Sequence, residues 1–135
     1  MGSYQCADAI NAMRGLYSNA PRCTVELPWP VSINRYLRRA GVVMHTTKEA
    51  KQYRKDVGWL CAWQPRFGSK RLRVHITANP PDRRRRDLDN LQKALLDSLM
   101  HAGLFADDSQ IDDLQIVRGE VCKPGSVTVT IEAIA

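Results

Sequence analysis

Between Arg71 and Gly103 the hydrophobic period changes once, from two to between three and four, and that change dictates a strand followed by a helix. In Arg71 to Ala78, the residues Leu72, Val74, Ile76 and Ala78 alternate with Arg71, Arg73, His75 and Thr77. An extended chain places the first set on an apolar face and the second on a basic one. From Leu88 onward, Leu91, Leu95, Leu99 and Ala102 recur at helical spacing, and Gly103 closes the run. Asn79-Pro80-Pro81 breaks the chain between the two patterns.

The flanking sequence supplies the rest of a single α+β domain. Thr24-Val25-Glu26-Leu27 alternates like a strand, and Pro28-Trp29-Pro30 stops it. Ser32 to Arg39 reads as a polar, basic connection. Thr46 or Thr47 is placed to cap a helix running to about Trp63, with Ala50, Tyr53, Val57 and Leu60/Cys61 on one face and Pro65 beyond its end. Leu104 to Asp113 reads as an aspartate-rich turn leading into a strand from Leu114 to Val121. Lys123-Pro124-Gly125 then turns the chain into Val127 to Ile131, read as that strand's antiparallel partner. With 135 residues the chain holds one core, expected as a mixed β-sheet with packed helices over residues 23–135. Residues 1–22 read as an appendage carrying a short helix over about Ala7 to Leu16.

Several function classes are set aside at this level. The longest apolar runs are too short to span a bilayer, and no secretory signal opens the chain, so a cytoplasmic protein without membrane contact is expected. The four cysteines lack C-x-x-C spacing and the three histidines stand apart, which argues against a zinc site and for reduced, mostly buried thiols. The net charge of +6 is divided unevenly. Residues 1–34 are neutral, residues 35–86 carry +12 and residues 87–135 carry −6. A surface that attracts a polyanion therefore adjoins an acidic cluster that repels it unless cations intervene.

Eight of the fourteen acidic residues are aspartates between Asp82 and Asp113. Taken singly they suit helix caps and a solvated turn, with Asp87 at an N-cap position and Asp89 at the positive end of the helix dipole. Taken as a pair they need more, since two carboxylates about 5 Å apart repel by about 3 kcal/mol at an effective dielectric of 20. A hard divalent cation such as Mg²⁺ answers that repulsion and also takes phosphate oxygens. The run Arg83 to Arg86 beside them points to a nucleic-acid backbone as the source of the phosphate.

The segment PDRRRRDLDNLQKALLDSLMHAGLFADDSQIDD, from Pro81 to Asp113, strongly resembles the RusA family of Holliday-junction resolvases, and LPWPVSINRYLR, from Leu27 to Arg38, resembles that family's opening motif. The resemblance spans about residues 23–134. It implies a homodimeric, Mg²⁺-dependent endonuclease that cuts four-way DNA junctions, with Mn²⁺ able to substitute, in a phage or prophage setting. Carried over by position, Asp87, Asp89 and Asp108 are the metal-binding carboxylates and Lys93 the essential basic residue, with Arg86, Asn90 and Asp107 in support. Without the resemblance, Lys93 reads as an i,i+4 partner of Asp89 worth about 0.2 to 0.5 kcal/mol. With it, the expected task is to stabilise charge on the phosphoryl group in the transition state. DNA contacts are expected from Arg83, Arg84, Arg85 and Arg86, from Arg71 and Arg73 on the basic strand face, from Arg35, Arg38 and Arg39, and, through the resemblance, from Asn34.

A helix from Leu88 to Ala102 is about 22 Å long, which leaves Asp87 and Asp89 at one end and Asp108 beyond the other. Two such helices packed antiparallel across a two-fold axis would bring Asp108 of one chain to Asp87 and Asp89 of its partner. Two other readings stand beside the resolvase. One is a DNA-binding protein without catalysis, whose aspartates are caps; the other is a Mg²⁺-dependent nuclease of broader substrate range.

Overall fold

The computed structural model describes residues 21–32, 37–40 and 43–134. The helix expected over Ala7–Leu16, and the candidate DNA contacts Asn34 and Arg35, lie outside them. Strand β1 (Arg22–Pro28) buries Cys23, Val25 and Leu27 and exposes the residues between, as its alternation requires. A two-stranded hairpin follows, β2 (Leu37–Ala40) against β3 (Val43–Thr46). The expected polar connection is therefore corrected over Leu37–Ala40. That stretch carries no apolar period, and its strand form rests on cross-strand pairing with β3.

Helix α1 (Lys48–Leu60) starts where Thr47 caps it, the Thr47 hydroxyl accepting from the Ala50 N–H at 3.2 Å. It ends at Leu60 rather than near Trp63, and buries Ala50, Tyr53 and Val57. Strand β4 (Leu72–Asn79) is buried at every second residue. Helix α2 (Asp89–His101) follows, and Gly103, at φ +82°, supplies the left-handed residue beyond its end. After a single 3₁₀ turn (Asp108–Gln110) come β5 (Ile111–Arg118) and β6 (Ser126–Ala133).

The main sheet has the order β1-β6-β4-β5. β6 runs antiparallel to both β1 and β4, while β5 is parallel to β4, reached through the α2 crossover that a parallel pair needs. β5 and β6 are thus not the antiparallel pair expected from their adjacency. β6 carries Val127, Val129 and Ile131, all fully buried, and takes an interior place with a neighbour on each side. β5 begins at Ile111, three residues earlier than expected, and takes the edge. There Asp112 meets Arg71, the residue before β4, and Asp113 meets Arg73 of β4, and edge charge discourages further strand pairing.

The apolar face of the sheet joins α1 and α2 in one core that includes Leu27, Leu72, Val74 and Ile131 with Tyr53, Val57, Leu95 and Leu99. The helices approach closely where two fully buried alanines, Ala50 and Ala94, meet. The fold is one α+β domain with a mixed sheet. Among the described residues, Cys23 and Cys61 are buried and Cys122 is exposed, all unbridged. No helix there is long and apolar enough to cross a membrane.

Candidate active site

The loop that carries the arginines is organised by its first acid. Asp82 Oδ1 accepts the Arg84 N–H at 2.9 Å and Arg86 Nη1 at 2.6 Å. The Arg86 hydrogen bond, followed by the Arg84 backbone bond, pulls the Asp82 carboxyl down to about 2. The Arg86 guanidinium lies 5.7 Å from the centroid of the Trp29 ring, and Arg118 Nη2 donates to the Arg86 carbonyl at 2.8 Å. Arg86 is thereby a structural brace as well as a charge. Arg83 and Arg85 are exposed and make no ion pair among the described residues, so their charge faces solvent.

Beside this loop an open cleft of about 300 Å³ is lined by Trp29, Ser32, Arg85, Arg86, Asp87, Asn90 and Leu91. Two segments more than fifty residues apart in the chain form its walls. Tyr53 fixes the first, its hydroxyl donating to the Pro28 carbonyl at 2.7 Å just before Trp29. The turn before β6 backs it: Gly125, at φ +95°, lies so close that a Cβ there would meet Pro81 Cδ at 2.9 Å and Trp29 Cβ at 3.0 Å.

Asp87 does not cap the helix. The N-cap position of α2 is Leu88, in helical conformation and without a side-chain cap, and Asp89 is the first helical residue. Both carboxylates are exposed, and neither accepts a hydrogen bond or forms an ion pair among the described residues. Two hard oxygen donors therefore stand uncommitted at the positive end of a helix dipole.

Asp108 is not with them. It begins the 3₁₀ turn past the far end of α2, whose 13 residues span about 20 Å. No group of three or more His, Cys, Asp or Glu able to hold a metal ion forms among the described residues. Asp107 caps the turn. Its carboxylate accepts from the Ser109 N–H at 3.1 Å, and the hydrogen bond from the Ser109 side chain, followed by this backbone one, holds its pKa below the usual carboxylate range. Gln110 completes a capping box by accepting from the Asp107 N–H at 2.9 Å, while its Nε2 donates to the carbonyls of Gly68 at 3.0 Å and Lys70 at 2.6 Å. Ser32 and Asp82 shape the cleft and its arginine loop, Gln110 shapes the Asp107–Asp108 turn, and none of the three is singled out as a site residue by the sequence. The D-x-x-Q spacing of Asp107 and Gln110 was the signal available for one of them. The Asp108 carboxylate is exposed and has no partner among the described residues.

Lys93 reaches forward rather than back. Its Nζ lies 3.1 Å from Asp97 Oδ2, one turn after it, and Arg54 Nη2 of α1 approaches the same oxygen at 4.0 Å. On the sheet, Arg71 Nε contacts both oxygens of Asp112 at 3.0 Å, and Arg73 Nε lies 2.9 Å from Asp113 with its Nη1 3.7 Å from Glu132. The charge of these two arginines is met within the fold. Arg38 and Arg39 occupy β2, opposite His45 and Met44.

The family model for Endodeoxyribonuclease RusA matches residues 28–132 of this chain. The chain belongs to the RusA family. It is 43% identical over 107 residues to the crossover junction endodeoxyribonuclease of Enterobacteria phage HK97, which covers 78% of this chain and 89% of the relative. It is 40% identical over 110 residues to the crossover junction endodeoxyribonuclease of Escherichia coli K12, covering 80% and 92%. The corresponding protein of Enterobacteria phage 82 is 40% identical over 109 residues, covering 79% and 91%. The RusA match takes in both walls of the cleft, Trp29–Ser32 and Arg85–Asn90, and the Asp107–Asp108 turn.

Proposed function

We propose that the protein is a homodimeric, Mg²⁺-dependent endodeoxyribonuclease that resolves four-way DNA junctions by paired symmetric cuts. Support comes from family membership and from one observation above all: the carboxylates of Asp87 and Asp89 have no partner among the described residues, and Asp87 lines a cleft walled by arginines.

The donor set fits a hard divalent cation, because carboxylate oxygens are the ligands Mg²⁺ prefers. Two carboxylates from one chain leave room for a third, and Asp108 of a second subunit is the residue proposed for it. Bound there, Mg²⁺, or Mn²⁺ in its place, would polarise the scissile phosphate and lower the pKa of an attacking water. Arg83 and Arg85 hold the DNA backbone through phosphate contacts. Arg86, braced by Asp82 and Trp29, keeps the Asp87 side of the cleft in place. Lys93, half exposed and held by Asp97, stabilises charge on the phosphoryl oxygens as it develops. The reading includes a cytoplasmic setting, where the DNA is, and a phage or prophage origin like that of two of the relatives.

The test is cleavage of a labelled synthetic four-way junction by wild type and Asp87→Asn, with Mg²⁺ and with EDTA, beside a linear duplex. Paired nicks on the junction alone, from wild type alone and with Mg²⁺ alone, are expected. Binding without cleavage under every metal tried would leave a DNA-binding protein, and equal cutting of forks and duplex a nuclease of broader range.

A further inference from the structure

The solvent face of α1 carries cations and aromatic rings in an order that the site described above does not use. Lys48, Lys51, Lys55 and Trp59 follow at steps of three, four and four residues, so they share one side of the helix, opposite the buried Ala50, Tyr53 and Val57. All three lysines are exposed, and none is ion-paired among the described residues. Of the acids on the helix, Glu49 and Asp56 lie to the flank, and Asp56 accepts from Gln52 Nε2 at 3.0 Å. Trp59 is 82% exposed, and Trp63, in the turn that follows, is 96% exposed. Leaving two indole rings in water forfeits the burial that large aromatics normally supply, and on a face lined with unpaired cations it points to a flat, anionic partner.

The face is also continuous with the candidate active site. Lys48, at the head of the face, lines a shallow groove with Pro28, Trp29 and Val31, whose α1 side also carries Glu49, Gln52 and Asp56, and Trp29 is the wall that this groove shares with the Asp87 cleft. From Lys48 to Trp59 the helix rises about 16 Å, roughly five nucleotide steps. Resting on the proposed function, we infer that this face of α1 receives a DNA strand leaving the active cleft: Lys48, Lys51 and Lys55 take its phosphates, and Trp59 and Trp63 stack on bases left unpaired near the branch. Stacking tolerates any base, because each presents a π-face, so this surface would read branched structure rather than sequence.

The full chain, its K48Q/K51Q/K55Q variant and its W59A/W63A variant are titrated against a labelled four-way junction and a linear duplex, in EDTA to prevent cleavage, at several salt concentrations. The lysine variant is expected to reduce the slope of log affinity against log salt by about 2 to 3, at about 0.7 to 0.9 for each phosphate that is no longer neutralised. The tryptophan variant is expected to bind the junction roughly five-fold or more weakly for each base that loses its stack, to bind linear duplex almost as wild type does, and to regain junction affinity as W59F/W63F. Both variants alter exposed side chains, and unchanged thermal melts establish that they fold. Unchanged slope and affinity overturn the inference. So does a W59A/W63A chain that changes oligomeric state by sedimentation, which assigns the rings to an interface between copies. Wild type that neither prefers nor cuts the junction overturns the proposed function instead, whereas wild type that cuts it while both variants bind normally overturns this surface alone.

Discussion

Asp82 shows how one side chain can set the stance of a whole loop. Hydrogen bonds from Arg86 and from the Arg84 backbone hold its carboxyl at about 2, against an ordinary 3.8. A folded-state pKa below the unfolded one contributes stability that is fully present above about pH 4 and disappears as the pH falls through about 2. Asp82→Asn is therefore expected to melt below wild type near neutral pH and to converge with it near pH 2, in thermal melts across that range. A gap of constant size down to pH 2 would mean that the carboxylate's charge is not what matters. Asp97 makes a second residue-scale case. It receives both Lys93 and Arg54 on one oxygen, and Asp97→Ala leaves two cations facing each other across the helix pair. A loss of about 1 to 2 kcal/mol is expected in urea denaturation, between the ranges for exposed ion pairs and charge-assisted hydrogen bonds. The same scale exposes a limit of reading residues singly. Asp87 has the right type for an N-cap, but α2 begins one residue later with Leu88 at the cap position.

Among the elements, the 3₁₀ turn is held more firmly than its three residues suggest. The buried Gln110 side chain accepts from the N–H groups of Ala106 and Asp107 and donates to the carbonyls of Gly68 and Lys70. Gln110→Ala strands those backbone groups and is expected to cost about 2 to 3 kcal/mol in chemical denaturation. It is also expected to slow junction cleavage at temperatures where the variant remains folded, because Asp108 rides on the turn; wild-type rates there would separate Asp108 from the reaction. Elements with a strong period of their own, β1, α1, β4 and α2, were legible in the sequence. β2 and the start of β5 were not, because each is extended by virtue of its neighbour: β2 pairs with β3, and the Asp112–Asp113 stretch of β5 is accommodated by Arg71 and Arg73.

For the whole molecule, the length of α2 is the decisive dimension. About 20 Å separates the two ends of α2 beside which the proposed metal ligands stand, and the proposed site is therefore one that two chains complete together. Mixing Asp87→Asn chains with Asp108→Asn chains is expected to restore one intact site in each mixed dimer and thus single nicks in the junction, although neither variant cuts alone. Inactive mixtures despite demonstrated subunit exchange would show that the carboxylates are not shared in this way.

Local pattern alone sufficed for the α+β class, for the strand and helix on either side of the arginine loop, and for the pairing of clustered aspartates with an arginine run, whereas the roles proposed for Asp108 and Lys93 came from the family resemblance. These features repeat over a few residues, and burial of one face imposes them wherever the chain later lies. Folding in three dimensions decided the insertion of β6 between β1 and β4, the meeting of Trp29 and Ser32 with Asp87, the commitment of Arg71 and Arg73 to acids of β5 and β6, and the lack of any partner for the Asp87 and Asp89 carboxylates among the described residues. Those outcomes depend on which groups compete for the same hydrogen bonds and counter-charges across forty or more residues. That competition is settled by proximity in space, which no local period encodes.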